Sequence, residues 1–239
     1  MTDMIEAPDS RAKPEVRNDA TRVTVPAWGR AHPKQAIASL YYTIASQRVL
    51  DHSVALQFVS SHANAGTSLV ASQFAAFAAQ AQGGSALLID CSPSGRAPLL
   101  GTAGQKQRPS LIEAFTADGR IDEALVPVSA TQGLYVAQLS NLSDAVFQAG
   151  VNLMSAILDQ ARSRYQFTAL DTPAIEDSAV TLTYSRISDG VVLIVEADST
   201  TAESAEAAVE TIERSGGKVL GLVFNKRRLH MPRWLYRRL

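Results

Sequence analysis

Six short apolar runs recur along the chain, and most of them are separated by stretches with helical periodicity. The runs cover residues 54–59, 86–89, 134–139, 167–170, 190–196 and 219–224. Their apolar residues are continuous rather than alternating, which is typical of strands that are covered on both faces of a parallel sheet. We therefore expect a single doubly wound α/β fold with a mostly parallel sheet and helices on both faces.

The intervening stretches carry apolar residues three or four positions apart. This spacing predicts helices over residues 32–52, 68–82, 142–165 and 200–215. Residues 1–30 mix proline, charged residues and threonine without apolar periodicity, which predicts a flexible leader. The sequence thus predicts three segments: the leader 1–30, one domain over 31–226 and a basic, aromatic tail over 227–239.

Composition narrows the classes of protein. The chain has 239 residues, of which 46% are hydrophobic, enough to bury one core. A net charge of −1 gives no overall attraction to nucleic acid, and the single cysteine, Cys91, excludes an internal disulfide and fits a reducing compartment. The start, "MTDMIEAPDSR", lacks signal-peptide features, and no apolar run reaches the roughly 20 residues of a membrane-spanning helix. We expect a cytoplasmic protein.

The ends of the predicted strands carry the candidate chemistry, because ligands of open parallel sheets bind beyond the carboxyl ends of the strands. The first run leads into the loop "SSHANAGTSL", residues 60–69, and later runs end at Asp90, Asp171 and Asn225. Amides of such a loop can cradle phosphates, while a hydroxyl and carboxylates hold Mg²⁺ and its water. Ser68, Asp90 and Asp171 are the candidate metal-binding residues.

In this order, the motifs resemble the cytoplasmic domain of the bacterial tyrosine kinases of exopolysaccharide and capsule biosynthesis, a family related to the MinD and ParA ATPases. The resemblance covers roughly residues 32–226. It implies that Asp90 matches the first acid of an Asp-x-Asp motif and that Asp171-Thr172-Pro173 matches a Walker B turn. It also implies a P-loop NTPase-like fold and Mg-ATP as cofactor, bound by Ser61, Gly66, Thr67, Ser68 and the adenine-recognising Asn225.

The loop departs from the family pattern Ser-Ser-x-x-Gly-Glu-Gly-Lys-Ser-Thr at four positions. Asn64, Ala65, Thr67 and Leu69 replace its first glycine, glutamate, lysine and final threonine. The lysine neutralises phosphate charge, whereas a threonine hydroxyl contributes only a neutral hydrogen bond. This replacement predicts an impaired nucleotide site.

Further departures affect the metal region and the subunit contacts. Ser92 replaces the second acid of Asp-x-Asp, and the family's Glu-x-x-Arg-x-x-Arg contact motif aligns with Gln35, Ala38 and Tyr41. The tyrosine-rich tail of the kinases is missing, since only Tyr236 follows Tyr184. We expect a catalytically impaired regulatory subunit of polysaccharide biosynthesis and export, in which Asp90 and Asp171 occupy the family's catalytic positions.

Other readings stay open. The chain could be a working ATPase or tyrosine autokinase that uses another cation, or a MinD- or ParA-like positioning protein. Gly66 could be an ordinary turn glycine, Ser68 a helix cap and Asp171 a turn residue. His62 is the one candidate substitute cation in the loop, and an exposed neutral side chain is the alternative.

The tail concentrates positive charge. Residues 226–239, "KRRLHMPRWLYRRL", hold six lysines and arginines and no acid. Arginines beside Trp234 and Tyr236 suit docking on an anionic membrane surface or an acidic partner, and a solvated tail with Trp234 packed on the domain is the equal alternative. The resemblance implies a membrane-anchored co-polymerase or chain-length regulator as partner. The tail favours a peripheral location at the inner face of the cell membrane, and a homo-oligomer is possible.

Overall fold

The described part of the chain folds around one sheet of eight strands. The structure, a computed structural model, describes residues 23–25, 33–46, 53–81, 84–92, 108–140, 143–197 and 199–226. In chain order the strands are β1 (Val23–Val25), β2 (Val54–Ser60), β3 (Ala86–Asp90), β4 (Val126–Pro127), β5 (Leu134–Gln138), β6 (Phe167–Asp171), β7 (Gly190–Glu196) and β8 (Val219–Asn225). Their order across the sheet is β1-β8-β7-β2-β6-β3-β5-β4, and only the β4–β5 pair is antiparallel.

Within the described residues, six α-helices connect these strands and cover both faces of the sheet. They are α1 (Pro33–Ile44), α2 (Thr67–Gln80), α3 (Leu111–Asp118), α4 (Ser143–Arg162), α5 (Val180–Ile187) and α6 (Ala202–Arg214). Helices α1 and α2 pack on one face, and α3 to α6 pack on the other. The predicted doubly wound, mostly parallel α/β fold is confirmed.

The side chains of β2 lie alternately on the two faces of the sheet and pack against both helical layers. Leu56 and Phe58 pack beneath α1 and α2, whereas Ala55 and Val59 face the opposite layer. All seven residues of β2 are buried, because the strand lies between β6 and β7 at the centre of the sheet. The continuous apolar run in the sequence therefore reflects burial on both faces.

The structure adds elements that apolar runs and periodicity did not predict. Strand β1 lies within the stretch expected to be a leader, and it pairs with β8. The short helices α3 and α5 and the two-residue strand β4 were also not predicted. No helix in the described part of the chain is long and apolar enough to cross a membrane. The tail over 227–239 lies outside the described residues.

Candidate functional site

Two buried aspartates meet at the carboxyl edge of the sheet. Asp90 ends β3 and Asp171 ends β6, and the two residues are direct register partners. Asp90 is fully buried and Asp171 is 3% exposed. The backbone N–H of Ser92 donates to Oδ1 of Asp90 at 2.8 Å. Parallel pairing of the two strands thus brings together the two acids that the sequence predicted at strand ends.

The Asp171 carboxyl group is only partly satisfied. Burial is the main cause that raises the pKa of Asp171 to about 7, and the charge of Asp90 also raises it. A hydrogen bond from Ser68 acts in the opposite direction and lowers the pKa. Its Oδ2 atom accepts no hydrogen bond from the described residues. A buried carboxylate oxygen without a donor is costly, so this atom marks the place where a donor or cation would be favourable.

The loop before α2 requires glycine at one position. Gly66 has φ +92°, the left-handed region, and precedes the first residue of α2. A Cβ atom there would lie 2.2 Å from Nδ2 of Asn225. That Nδ2 atom donates to the backbone carbonyl of Ala65 at 2.8 Å. The end of β8 therefore supports the loop directly, and the amide that resemblance assigned to adenine has a partner within the chain.

The Thr67 side chain, which stands at the family's lysine position, points into the loop. Its hydroxyl donates to Oγ of Ser60 at 3.1 Å, and the Ser60 hydroxyl donates to the carbonyl of His62 at 2.8 Å. Thr67 is 8% exposed. The position that should supply a cation to a phosphate instead supplies a hydrogen bond that closes the loop on itself.

Glu176 holds the outer part of the loop. Its Oε1 accepts the backbone N–H of Ala63 at 3.0 Å, and its Oε2 lies 2.7 Å from Nδ1 of His62. Both contacts lower the pKa of Glu176, with the His62 hydrogen bond as the largest cause. Nε2 of His62 lies 3.2 Å from the Ser204 hydroxyl on α6. His62 is thus engaged with a carboxylate rather than presented to the cleft.

A buried polar network lies under the Asp171-Thr172-Pro173 turn. Nε2 of Gln57, in β2, donates to the Thr172 hydroxyl at 3.1 Å and to the Thr181 carbonyl at 3.0 Å. Oε1 of Gln57 accepts from the Ser185 hydroxyl at 2.6 Å. The Thr172 hydroxyl in turn donates to the carbonyl of Phe58 at 2.9 Å. One fully buried side chain therefore fixes the turn to β2 and to α5.

These elements enclose an open cleft of about 400 Å³. Ser60, Gly66, Thr67 and Ser68 line the loop side, and Asp171, Thr172 and Asp177 line the opposite side. Neither lysine nor arginine is among the described residues that line it. Ser68, Asp90 and Asp171 fit a Mg²⁺ site, but the described lining offers a polyphosphate no side-chain cation, so the charge of a nucleotide would be offset only by that metal ion.

The structure separates the predicted site residues into two groups. Ser68, Asp90 and Asp171 lie together, while Asn225 and Thr67 make contacts that hold the loop. The Ser61 carbonyl accepts the backbone N–H of Glu176 at 3.4 Å. Sequence reasoning missed Gln57 and Glu176. The position of Gln57, a polar residue inside an apolar strand, could have indicated its role. Nothing in the sequence around Glu176 indicated that it contacts the loop.

Comparisons with known proteins agree with the resemblance. Over 72 residues the chain is 32% identical to CapB of Staphylococcus aureus, which is described as a tyrosine-protein kinase; the match covers 30% of this chain and 32% of CapB. No family profile matches the chain. The chain thus matches about a third of the length of that curated relative.

Solved structures extend the similarity to most of the fold. The kinase domain of the Escherichia coli tyrosine kinase ETK superposes with a TM-score of 0.72 at 18% identity, covering 83% of this chain and 78% of that domain. The chimerical protein CapA2B2 gives 0.71 at 16% identity over 88% and 96%. MinD of Pyrococcus horikoshii, complexed with Mg-ADP, gives 0.61 at 14% identity over 77% and 76%. The fold is that of the bacterial tyrosine kinase domains and their MinD- and ParA-like relatives.

Proposed function

We propose that this chain is a catalytically impaired, tyrosine-kinase-like regulatory subunit of exopolysaccharide or capsule biosynthesis and export. One observation carries the proposal. The Thr67 hydroxyl turns into the loop toward Ser60, and the cleft is lined by Asp171 and Asp177 without a side-chain cation among the described residues. The fold of the structural neighbours is retained, while the described residues that line the cleft offer no side-chain cation to a nucleotide.

The test is a calorimetric titration of the full chain with Mg-ATP, with the ETK kinase domain as the matched active control. We expect no measurable heat at concentrations that saturate the control. Phosphotyrosine blotting after incubation with Mg-ATP should also give no signal. A micromolar dissociation constant, about −8 kcal/mol of binding free energy, would refute the proposal.

An active autokinase or ATPase is the second candidate. Ser68, Asp90 and Asp171 are still assembled at one edge of the sheet, which favours it. Phosphotyrosine that forms with the wild type but not with Asp171→Ala would establish this candidate. ATP-dependent dimerisation without phosphotyrosine would instead favour a MinD- or ParA-like positioning role.

The proposed regulatory role places the chain at the inner face of the cell membrane, beside a membrane-anchored polysaccharide co-polymerase. The resemblance to the capsule and exopolysaccharide kinases supports the partner, and the basic, aromatic tail over 227–239 supports the location. The test is co-sedimentation with membranes and with anionic vesicles, with and without residues 227–239. Loss from cell membranes alone would identify a protein receptor, whereas unchanged partitioning in both assays would refute tail-mediated attachment.

A further inference from the structure

The cleft carries more negative charge than its surroundings offset. Asp171 and Asp177 both line it; Asp171 is 3% exposed, with no partner for Oδ2 among the described residues, and Asp177 is exposed. The start of α2 contributes a positive partial charge of only about half an elementary charge. Two carboxyl groups outweigh this helix terminus when both are ionised, so the cleft favours a cationic ligand over an anionic one.

The lining suits a guanidinium group better than a metal ion bound by protein side chains alone. Within the described residues no group of three or more His, Cys, Asp or Glu side chains is arranged to hold a metal. A guanidinium donates up to five N–H bonds in a planar fork and pairs well with carboxylates. Carboxylate and hydroxyl oxygens of Asp171, Asp177 and Ser68 stand at the cleft as acceptors.

The most basic segment of the chain starts beside this cleft. Strand β8 ends at Asn225, whose side chain contacts the Ala65 carbonyl of the loop. Lys226 follows with a φ of 56°, so the chain turns at this residue. Its Nζ lies 3.5 Å from Oε1 of Glu196. Residues 227–239 contain five arginines and no acid. Arg233 is eight residues beyond Asn225, and such a stretch spans up to about 26 Å when extended.

We propose that the cleft binds an arginine side chain of this chain's own C-terminal segment, residues 227–239. The inference rests on the proposed function, since it requires a cleft that does not hold Mg-ATP. A bound guanidinium offsets the negative charge of the Asp171 and Asp177 carboxyl groups that line the cleft. The same segment is then withheld from other anionic surfaces until they compete for it.

Trypsin tests the proposal on the full chain, because trypsin cleaves after arginine only where the backbone is accessible. The rate of release of residues 234–239 is followed by mass spectrometry in wild type, Asp171→Asn and Asp177→Asn. We expect release to be about tenfold faster in each variant, the change that loss of one charge-assisted hydrogen bond brings. Both substitutions keep the side-chain shape, and Asp177 is exposed, so its substitution is expected to cost little stability.

Glu206→Gln is the matched control, because it removes one acid from the separate acidic face of α6. It should leave the rate unchanged. Equal rates in all four proteins would overturn the proposal, as would equal acceleration by Glu206→Gln. Protection that disappears on dilution of the protein would assign the segment to a second copy and overturn binding within one chain.

The Mg-ATP titration separates this inference from the proposed function. A freely cleaved tail in a protein that binds no Mg-ATP would refute only the tail contact. Mg-ATP binding at micromolar concentration would refute the proposed function itself.

Discussion

The two walls of the cleft differ in what satisfies their polar groups. On the loop wall, Thr67, Ser60 and Ala65 bond within the loop or to Asn225, so the loop is held by the chain itself. On the strand-end wall, Asp171 keeps an oxygen without a hydrogen-bond donor among the described residues. The loop therefore keeps its shape without a phosphate, whereas the acidic wall keeps a buried carboxyl group that is only partly satisfied.

This contrast separates shape from chemistry in a site of this fold. A loop built from internal hydrogen bonds preserves the outline of a nucleotide site, while the hydroxyl at its lysine position is bonded to Ser60. When carboxylates line one wall of a cleft and no side-chain cation faces them, different ligands bind favourably. Fold similarity at 14–18% identity therefore supports the architecture, and the side chains decide the chemistry.

The largest effect is expected from Gly66→Ala, which breaks the loop wall. The substitution combines a left-handed φ of +92° with a Cβ placed 2.2 Å from Nδ2 of Asn225, so the free energy of unfolding should fall by about 4 kcal/mol. Urea denaturation measures it. Gly119→Ala is the matched control, because Gly119 has φ +74° and no neighbour within 4 Å, and it should cost only about 1 kcal/mol.

A double substitution sharpens that prediction. Gly66→Ala combined with Asn225→Ala should remove the clash and recover part of the lost stability, although the Ala65 carbonyl then loses its donor. Strict additivity of the two single losses would show that the Asn225 contact does not constrain position 66.

Gln57→Ala should produce the next largest effect, on the strand-end wall. It removes the partner of Thr172, Thr181 and Ser185 in a fully buried position, and the expected loss in unfolding free energy is about 3 kcal/mol. Thr168→Val is the control, because the buried Thr168 hydroxyl has no partner among the described residues and its loss should change stability by less than about 1 kcal/mol. Equal losses in both variants would contradict a supporting role for the network.

The pH dependence of the free energy of unfolding should reflect the titration of Asp171, with an effect slightly smaller than that of Gln57→Ala. Its folded pKa of about 7 lies above the unfolded value near 3.9, so the folded state binds more protons between these values. The free energy of unfolding therefore falls as the pH rises, by roughly 2 to 3 kcal/mol from pH 5 to pH 8 in the chain truncated after Lys226. Asp171→Asn should remove this fall.

The full chain provides the comparison for that experiment. An arginine in the cleft lowers the pKa of Asp171, so the full chain should lose less stability over the same pH range. Identical profiles for the full and truncated chains would argue against the tail contact. A profile unchanged by Asp171→Asn would assign the titration to another group.

The sequence predicted the sheet well because its strands are continuous apolar runs, and burial on both faces demands such runs. It also located Asp90 and Asp171, since parallel strands bring their carboxyl ends to one edge. Helix α3 had a readable signal that periodicity missed: Ser110 and Glu113 form a capping box. The partner of Asn225 could not be predicted, because Ala65 lies 160 positions away and only tertiary structure joins them.

The smallest effect is expected from restoring the family's lysine, in Thr67→Lys. The new ammonium adds one favourable charge. However, Thr67 is only 8% exposed and its hydroxyl is bonded to Ser60, and the carboxyl groups of Asp171 and Asp177 still line the same cleft. The ammonium is therefore expected to pair with those carboxylates rather than with a phosphate. Calorimetric titration with Mg-ATP should give a dissociation constant no tighter than about 1 mM, or about −4 kcal/mol.

Adding Asp177→Asn to Thr67→Lys tests whether charge is the cause. Micromolar affinity gained only in the double variant would identify the charge of the acidic wall as the barrier to nucleotide binding. Micromolar affinity gained in Thr67→Lys alone would contradict the view that the acidic wall opposes nucleotide.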